Sequence, residues 1–128
     1  MIVHSPWFSL EPYPQITLTQ LLEPSASRFQ NKPAFITAEG QEYTFGHIWE
    51  ACRRLGRYLQ DNGLQKGDRV AILSANAPEY FVAFYGTLFA GGVVTTLSPL
   101  YKEREILHQM EDCEATAVFA MRQLLPQV

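Results

Sequence analysis

Val70, Ala71, Ile72 and Leu73 are four apolar residues in a row. A strand of that pattern has no polar face to give to water, so it needs cover on both sides, as strands of parallel sheets have. The residues downstream supply it. Asn76 reads as a helix cap, Pro78 falls in the first turn, and Glu79 sits beside the positive end of the helix dipole. That helix carries Tyr80, Phe81, Val82, Phe84, Tyr85, Leu88 and Phe89, is apolar nearly all round, and is expected to be a covered element. Gly91-Gly92 ends it, and Val93 to Leu97 is the next strand. Ser98 to Tyr101 reads as a loop. A helix from about Lys102 to Cys113 follows, with Ile106, Leu107 and Met110 inward. Ala115 to Met121 is a further strand, and Arg122 to Val128 opens another element. Strand, helix, strand, helix, strand implies parallel strands joined by right-handed crossovers.

Upstream, Thr44 caps a helix from Phe45 to about Asn62, with Ile48, Cys52, Leu55 and Leu59 forming its apolar stripe. Gly63 and Leu64 suit a Schellman ending. Ala34 to Ala38 and Gln41 to Tyr43, joined by Glu39-Gly40, read as a hairpin. Before it, Thr17 or Thr19 caps a helix whose apolar residues are Leu18, Leu21, Leu22, Ala26 and Phe29, with a kink or break expected at Pro24. Residues 1–16, with Pro6, Trp7, Phe8, Pro12, Tyr13 and Pro14, read as an irregular arm. The fold class is therefore α/β: a partial parallel sheet of βαβαβ type with flanking helices and an N-terminal hairpin.

Tyr80 to Tyr101 carries no charge and has the length of a membrane span, but Gly91-Gly92 and then Thr95, Thr96, Ser98 and Pro99 interrupt it. A helix, a turn and a buried strand are expected, with no transmembrane segment. The 128 residues suffice for one domain with a core, and 47% hydrophobic content is that of a globular chain. A net charge of −3 argues against a nucleic-acid surface. Two cysteines and no leader-like N-terminus suggest a cytoplasmic protein.

Self-contained chemistry is hard to find. No GxGxxG, GxxxxGK[ST] or GxSxG string occurs, and His4, His47 and His108 show no metal-ligand spacing, so no catalytic residue and no metal site is expected. Ser74 lacks the glycine frame of a nucleophile elbow. Cys52 reads as a packed core thiol and Cys113 as structural. The aromatic run from Tyr80 to Phe89 reads as core packing, with an acyl or cofactor pocket as the other reading. Arg53, Arg54 and Arg57 read as a solvated helix face ahead of an anion site.

Three strings carry the reading further: Tyr43-Thr44-Phe45 with a helix ending at Gly63-Leu64; Lys66-Gly67-Asp68-Arg69-Val70-Ala71-Ile72-Leu73 followed by Asn76, Pro78 and Glu79; and Gly91-Gly92-Val93-Val94 followed by Ser98-Pro99-Leu100-Tyr101, Glu105 and His108. In this order they resemble the N-terminal segment of the adenylate-forming (AMP-binding) acid–CoA ligases, over about residues 17–128. The branch most resembled is that of long- and medium-chain fatty acids, or the coumarate type, with Ser98 where asparagine is commoner.

The resemblance implies an ATP- and magnesium-dependent reaction in the full-length parent. A carboxylic acid, fatty or aromatic, becomes an acyl-adenylate with release of pyrophosphate, and the acyl group passes to CoA. The Ser/Thr/Gly-rich phosphate loop ending in Pro-Lys-Gly is not in this chain. The chain is thus expected to be a truncated N-terminal subdomain over residues 17–128, inactive alone, binding no cofactor by itself and partnered by the remainder of the ligase. Self-association as a homodimer, or exchange of the arm between copies, is a further expectation. The resemblance also implies a CoA-proximal loop at Ser98, Pro99 and Leu100, with Lys102 or Arg104 supplying charge for a phosphate. The plainer reading makes Ser98 a cap and Pro99 the first residue of a helix that begins a turn early. A free-standing, non-catalytic binding module with the same fold is the alternative function, and an independent small enzyme lacks a visible catalytic set.

Overall fold

The computed structural model describes residues 12–127; most of the expected arm lies outside them. Element order is α1 (Leu18–Arg28), β1 (Pro33–Ile36), β2 (Glu42–Thr44), α2 (Phe45–Asp61), β3 (Arg69–Leu73), α3 (Pro78–Ala90), β4 (Val93–Leu97), α4 (Glu103–Asp112) and β5 (Ala115–Ala120), then a 3-10 turn, Arg122–Gln127. β1 and β2 form the antiparallel hairpin. The other strands form a parallel sheet in the order β4-β3-β5. Being central, β3 buries Val70, Ala71, Ile72 and Leu73 completely, at 0% exposure each.

Side chains alternate across a strand, so Ala71 and Leu73 share one face. They pack there with Leu97 and with Ile106 of α4. Ile72 points to the other face, toward Tyr80 and Ala83 of α3. The two crossover helices thus take opposite faces. α2 lies against α3, and two glycines set their separation. A Cβ on Gly56 would come within 2.6 Å of Phe89 Cβ, and one on Gly86 within 2.8 Å of the Leu55 side chain.

Local signals are mostly read as expected. Thr17, not Thr19, caps α1 in a reciprocal box: Gln20 N–H donates to Thr17 Oγ1 at 3.2 Å, and Thr17 N–H to Gln20 Oε1 at 2.9 Å. Thr44 Oγ1 accepts from His47 N–H at 3.2 Å. After α2, Gly63 adopts φ +94°, its N–H donates to Gln60 O, and Leu64 N–H reaches back to Leu59 O, which is the Schellman pattern.

Several expectations need correction. Pro24 lies inside one continuous helix, without a break. Its missing N–H frees only the carbonyl of Gln20, an exposed residue where water serves instead. Leu18 and Leu21 are exposed, so the α1 stripe contracts to buried Ala26 and half-buried Leu22 and Phe29. The α3 cap is Ala77, not Asn76. Pro78 occupies the first helical position, and the residue before a proline is held extended, which makes Ala77 the boundary. α3 is less covered than its composition suggests. Only Ala83, Gly86, Thr87 and Ala90 are buried, while its large side chains stay half-exposed. Leu107 of α4 faces solvent at 58% exposure, because the inward positions are Ile106 and Met110, four apart. α4 does not start at Pro99. Its cap is Lys102, whose N–H donates to Glu105 Oε2 at 2.8 Å. Among the described residues no helix is long and apolar enough to cross a membrane.

Candidate functional site at the carboxyl rim of the sheet

Parallel strands end on one rim, so the segments after β3, β4 and β5 gather there. The chain leaves β3 for β4 and then returns past β3 to β5. Ligands of open α/β sheets bind outside the carboxyl ends of the strands. A cavity of ≈ 310 Å³ lies at this place, lined by Ser74, Ala77, Glu79, Tyr80, Phe119 and Arg122 among others. Its floor is stitched: Met121 N–H donates to Leu73 O at 3.0 Å, and Ala75 N–H to Met121 Sδ at 3.2 Å. Ser74 gives its proton to Ala75 O at 2.9 Å, a local turn bond that does not prepare a nucleophile.

Beyond β4, Ser98–Tyr101 forms a tight turn. Tyr101 N–H donates to Ser98 O at 3.0 Å, and Leu100 N–H to Ser98 Oγ at 3.3 Å. Leu100 projects at 85% exposure. The serine therefore caps a turn, and the proline bends it. Lys102 and Arg104 follow, both exposed. The rim thus brings Ser98, Pro99 and Leu100 to an accessible edge with two cations close in sequence. The turn itself offers only neutral groups, and the charge at this edge is that of Lys102 and Arg104.

Other candidates fall to packing. Cys52 is fully buried, with its Sγ 4.0 Å from Phe81 O, and burial pushes its thiol up to about 12, so it stays protonated and unreactive. The same burial, then the neighbouring Cys52, raises Tyr85. The α3 rings pack half-buried on one another and on α2: Phe81 and Tyr85 centroids are 4.4 Å apart, and Trp49 meets Phe89 edge-on at 5.1 Å. An apolar cavity of ≈ 290 Å³ remains between Leu22, Phe35, Trp49, Phe81 and Tyr85. Cys113 Sγ lies 3.6 Å from Met110 O, a local contact at the end of α4. Arg53 and Arg54 are exposed, and Arg57 pairs with Asp61 in solvent at 2.9 Å. His4 lies outside the described residues; among them, no group of His, Cys, Asp and Glu is arranged to hold a metal ion. Met121 and Gln109, which organise the rim and the β4 edge, carry no sequence signal beyond their place in a strand and a helix.

Parallel strands with a crossover helix on each face place the chain in the doubly wound α/β class, whose ligands bind at the carboxyl rim. Residues 22–128 match the family described as AMP-binding enzyme, and the chain belongs to that family. It is 41% identical to the long-chain-fatty-acid–CoA ligase of Bacillus subtilis (strain 168) over 91% of its own length, which is 20% of that ligase. Among solved structures it is similar to a long-chain-fatty-acid–CoA ligase from Archaeoglobus fulgidus, with TM-score 0.83 and 26% identity over 91% of this chain and 25% of that one. It is also similar to a benzoate CoA ligase from Burkholderia xenovorans LB400, with TM-score 0.81 and 25% identity over 86% of this chain and 22% of that one. The chain thus spans about a fifth of the curated relatives' length.

Proposed function

We propose that the chain is the N-terminal part of an ATP-dependent acyl-CoA synthetase acting on a long-chain fatty acid, and that it works together with the remainder of the ligase. The identity to the Bacillus subtilis ligase, spread over nearly the whole chain, carries this reading. ATP supplies the activation of the acid, and CoA the accepting thiol. This chain supplies the scaffold: β3 anchors the sheet, and the segments after its strands shape the carboxyl rim. Within it, Ser98, Pro99 and Leu100 form a turn against which CoA lies, with Lys102 and Arg104 offering charge to its phosphates. The exposure of Leu100 and the neutral turn beside two cations support that placement.

The test is reconstitution. The chain is mixed with the part of the Bacillus subtilis ligase that follows its match to this chain, and palmitoyl-CoA formation is followed with ATP, magnesium and CoA. Thioester from the mixture and from neither half alone is expected, with palmitate preferred over benzoate. Leu100→Glu is expected to raise KM for CoA and leave KM for palmitate unchanged. CoA binding to the chain alone without turnover in the mixture would instead support a non-catalytic binding module.

A further inference from the structure

The cavity between α1, β1, α2 and α3 differs from the rim cavity in what lines it. The rim cavity has Glu79 and Arg122 in its wall. The other, of ≈ 290 Å³, is lined among the described residues by apolar side chains and by two hydroxyl groups, those of Ser25 and Tyr85, with no charged side chain. Its wall is a run of rings. Phe35 meets Phe81 edge-on at 5.4 Å, Phe81 lies 4.4 Å from Tyr85, and Tyr85 stands 6.4 Å from Trp49. The four come from three elements, β1, α2 and α3, and each braces the next. A wall built this way is set before a ligand arrives, which lowers the cost of ordering it.

The lining also says what fits. A buried water needs about 2–4 polar partners, so two hydroxyl groups cannot hold the several waters that this volume would take. An apolar cavity of about 150 Å³ holds one benzene ring. This one is nearly twice as large, the room of two fused rings. Aromatic walls favour an aromatic guest through edge-to-face and offset contacts. A carboxylate or phosphate inside would be left without a cation. α1 is the wall that can yield to admit a guest. It buries only Ala26, its Ser25 at the cavity is exposed, and Pro24 gives the helix one backbone bond fewer.

We infer that this cavity is a binding site for an uncharged aromatic molecule of about two fused rings, carrying at most one polar group for a hydroxyl to meet. The inference does not rest on the ligase reading. Indole is the probe, and the chain itself the receptor.

Indole at about 2 mM is expected to raise the melting temperature by about 3 °C, and to show nuclear Overhauser contacts to the rings of Phe35, Trp49 and Phe81. Indole-3-acetate, the same ring with a carboxylate, is expected to bind at least about tenfold more weakly. Ala26→Leu adds three carbons to a buried residue of the wall and is expected to weaken indole about tenfold or more. Thermal melting of that variant reports whether it folds, and the Overhauser contacts need no variant. No rise in melting temperature, contacts at Tyr80 and Phe119 of the rim cavity instead, or equal binding of indole-3-acetate each overturns the proposal. So does displacement of indole by palmitate, which would make the guest an acyl chain. Tighter indole binding in Trp7→Ala would mark the chain's own N-terminal arm as the occupant and overturn it as well.

Discussion

α1 and β3 are both rich in aliphatic residues, yet they end in opposite environments. β3 is completely buried over four consecutive residues, while α1 buries only Ala26 and leaves Leu18 and Leu21 about half exposed. Hydrophobicity does not account for the difference; position does. β3 has a strand on each side and a crossover helix on each face, all supplied within the next fifty or so residues of its own chain. Among the described residues α1 packs chiefly on α2 and α3, and its outer leucines, Leu18 and Leu21, stay exposed. One element is stabilised from within, and the other leans on it.

The sharpest way to break that contrast is Ile72→Ala. Deleting three carbons from a fully buried side chain should cost about 2–5 kcal/mol, read as a drop in the urea midpoint. A loss below about 1 kcal/mol would show that the sheet is not the stable half. Gly86→Ala comes next. Its methyl meets Leu55 from Cβ to Cδ2, so the helices must part, at a cost of about 1–3 kcal/mol by the same measurement. An unchanged or raised midpoint would contradict the close approach of α2 to α3.

The third prediction concerns pH. The Cys52 thiol is raised from 9.0 to about 12 by burial. Below pH 9 the thiol is protonated in both folded and unfolded chains, and its full contribution is present. Between pH 9 and 12 the unfolded thiol loses its proton while the folded one keeps it, so stability falls by at most about 1.4 kcal/mol per pH unit. Cys52→Ala should flatten that part of the pH–stability curve, and an identical slope in the variant would refute the assignment. Smallest is Leu21→Ala. At 53% exposure it should change stability by less than about 0.5 kcal/mol, and a larger loss would mean that α1 is better covered in solution than it is here.

The same contrast explains what could be read in advance. The sheet half was legible because its signals are local and agree with one another: an uninterrupted apolar strand, Pro78 at a helix start, Gly91 at φ +86° closing that helix. The failures lie where burial depends on what else is present. Leu18, Leu21 and Leu107 carry the right periodicity and still face solvent, because no pattern within a helix says whether a partner covers it. At the rim, Ser98 and Pro99 satisfy the rules for a helix opening and for a turn equally well; the Glu105 carboxylate on Lys102 N–H decides for the turn, a contact made after the candidate residues. The crevice between β3 and β5 was not legible, since strand order, not strand existence, creates it.

Gly56 and Gly86 have a mechanical consequence. At their crossing α2 and α3 meet backbone to backbone: the Gly86 carbonyl stands 3.0 Å from where a Gly56 Cβ would be, and interiors so packed have low compressibility. α2 and α3 are therefore held at a fixed close approach by their own backbones. The start of α2 and the first turn of α3 also face one hollow, lined by Tyr43, His47, Pro78 and Glu79, so the hairpin's exit and the rim adjoin along this rigid seam.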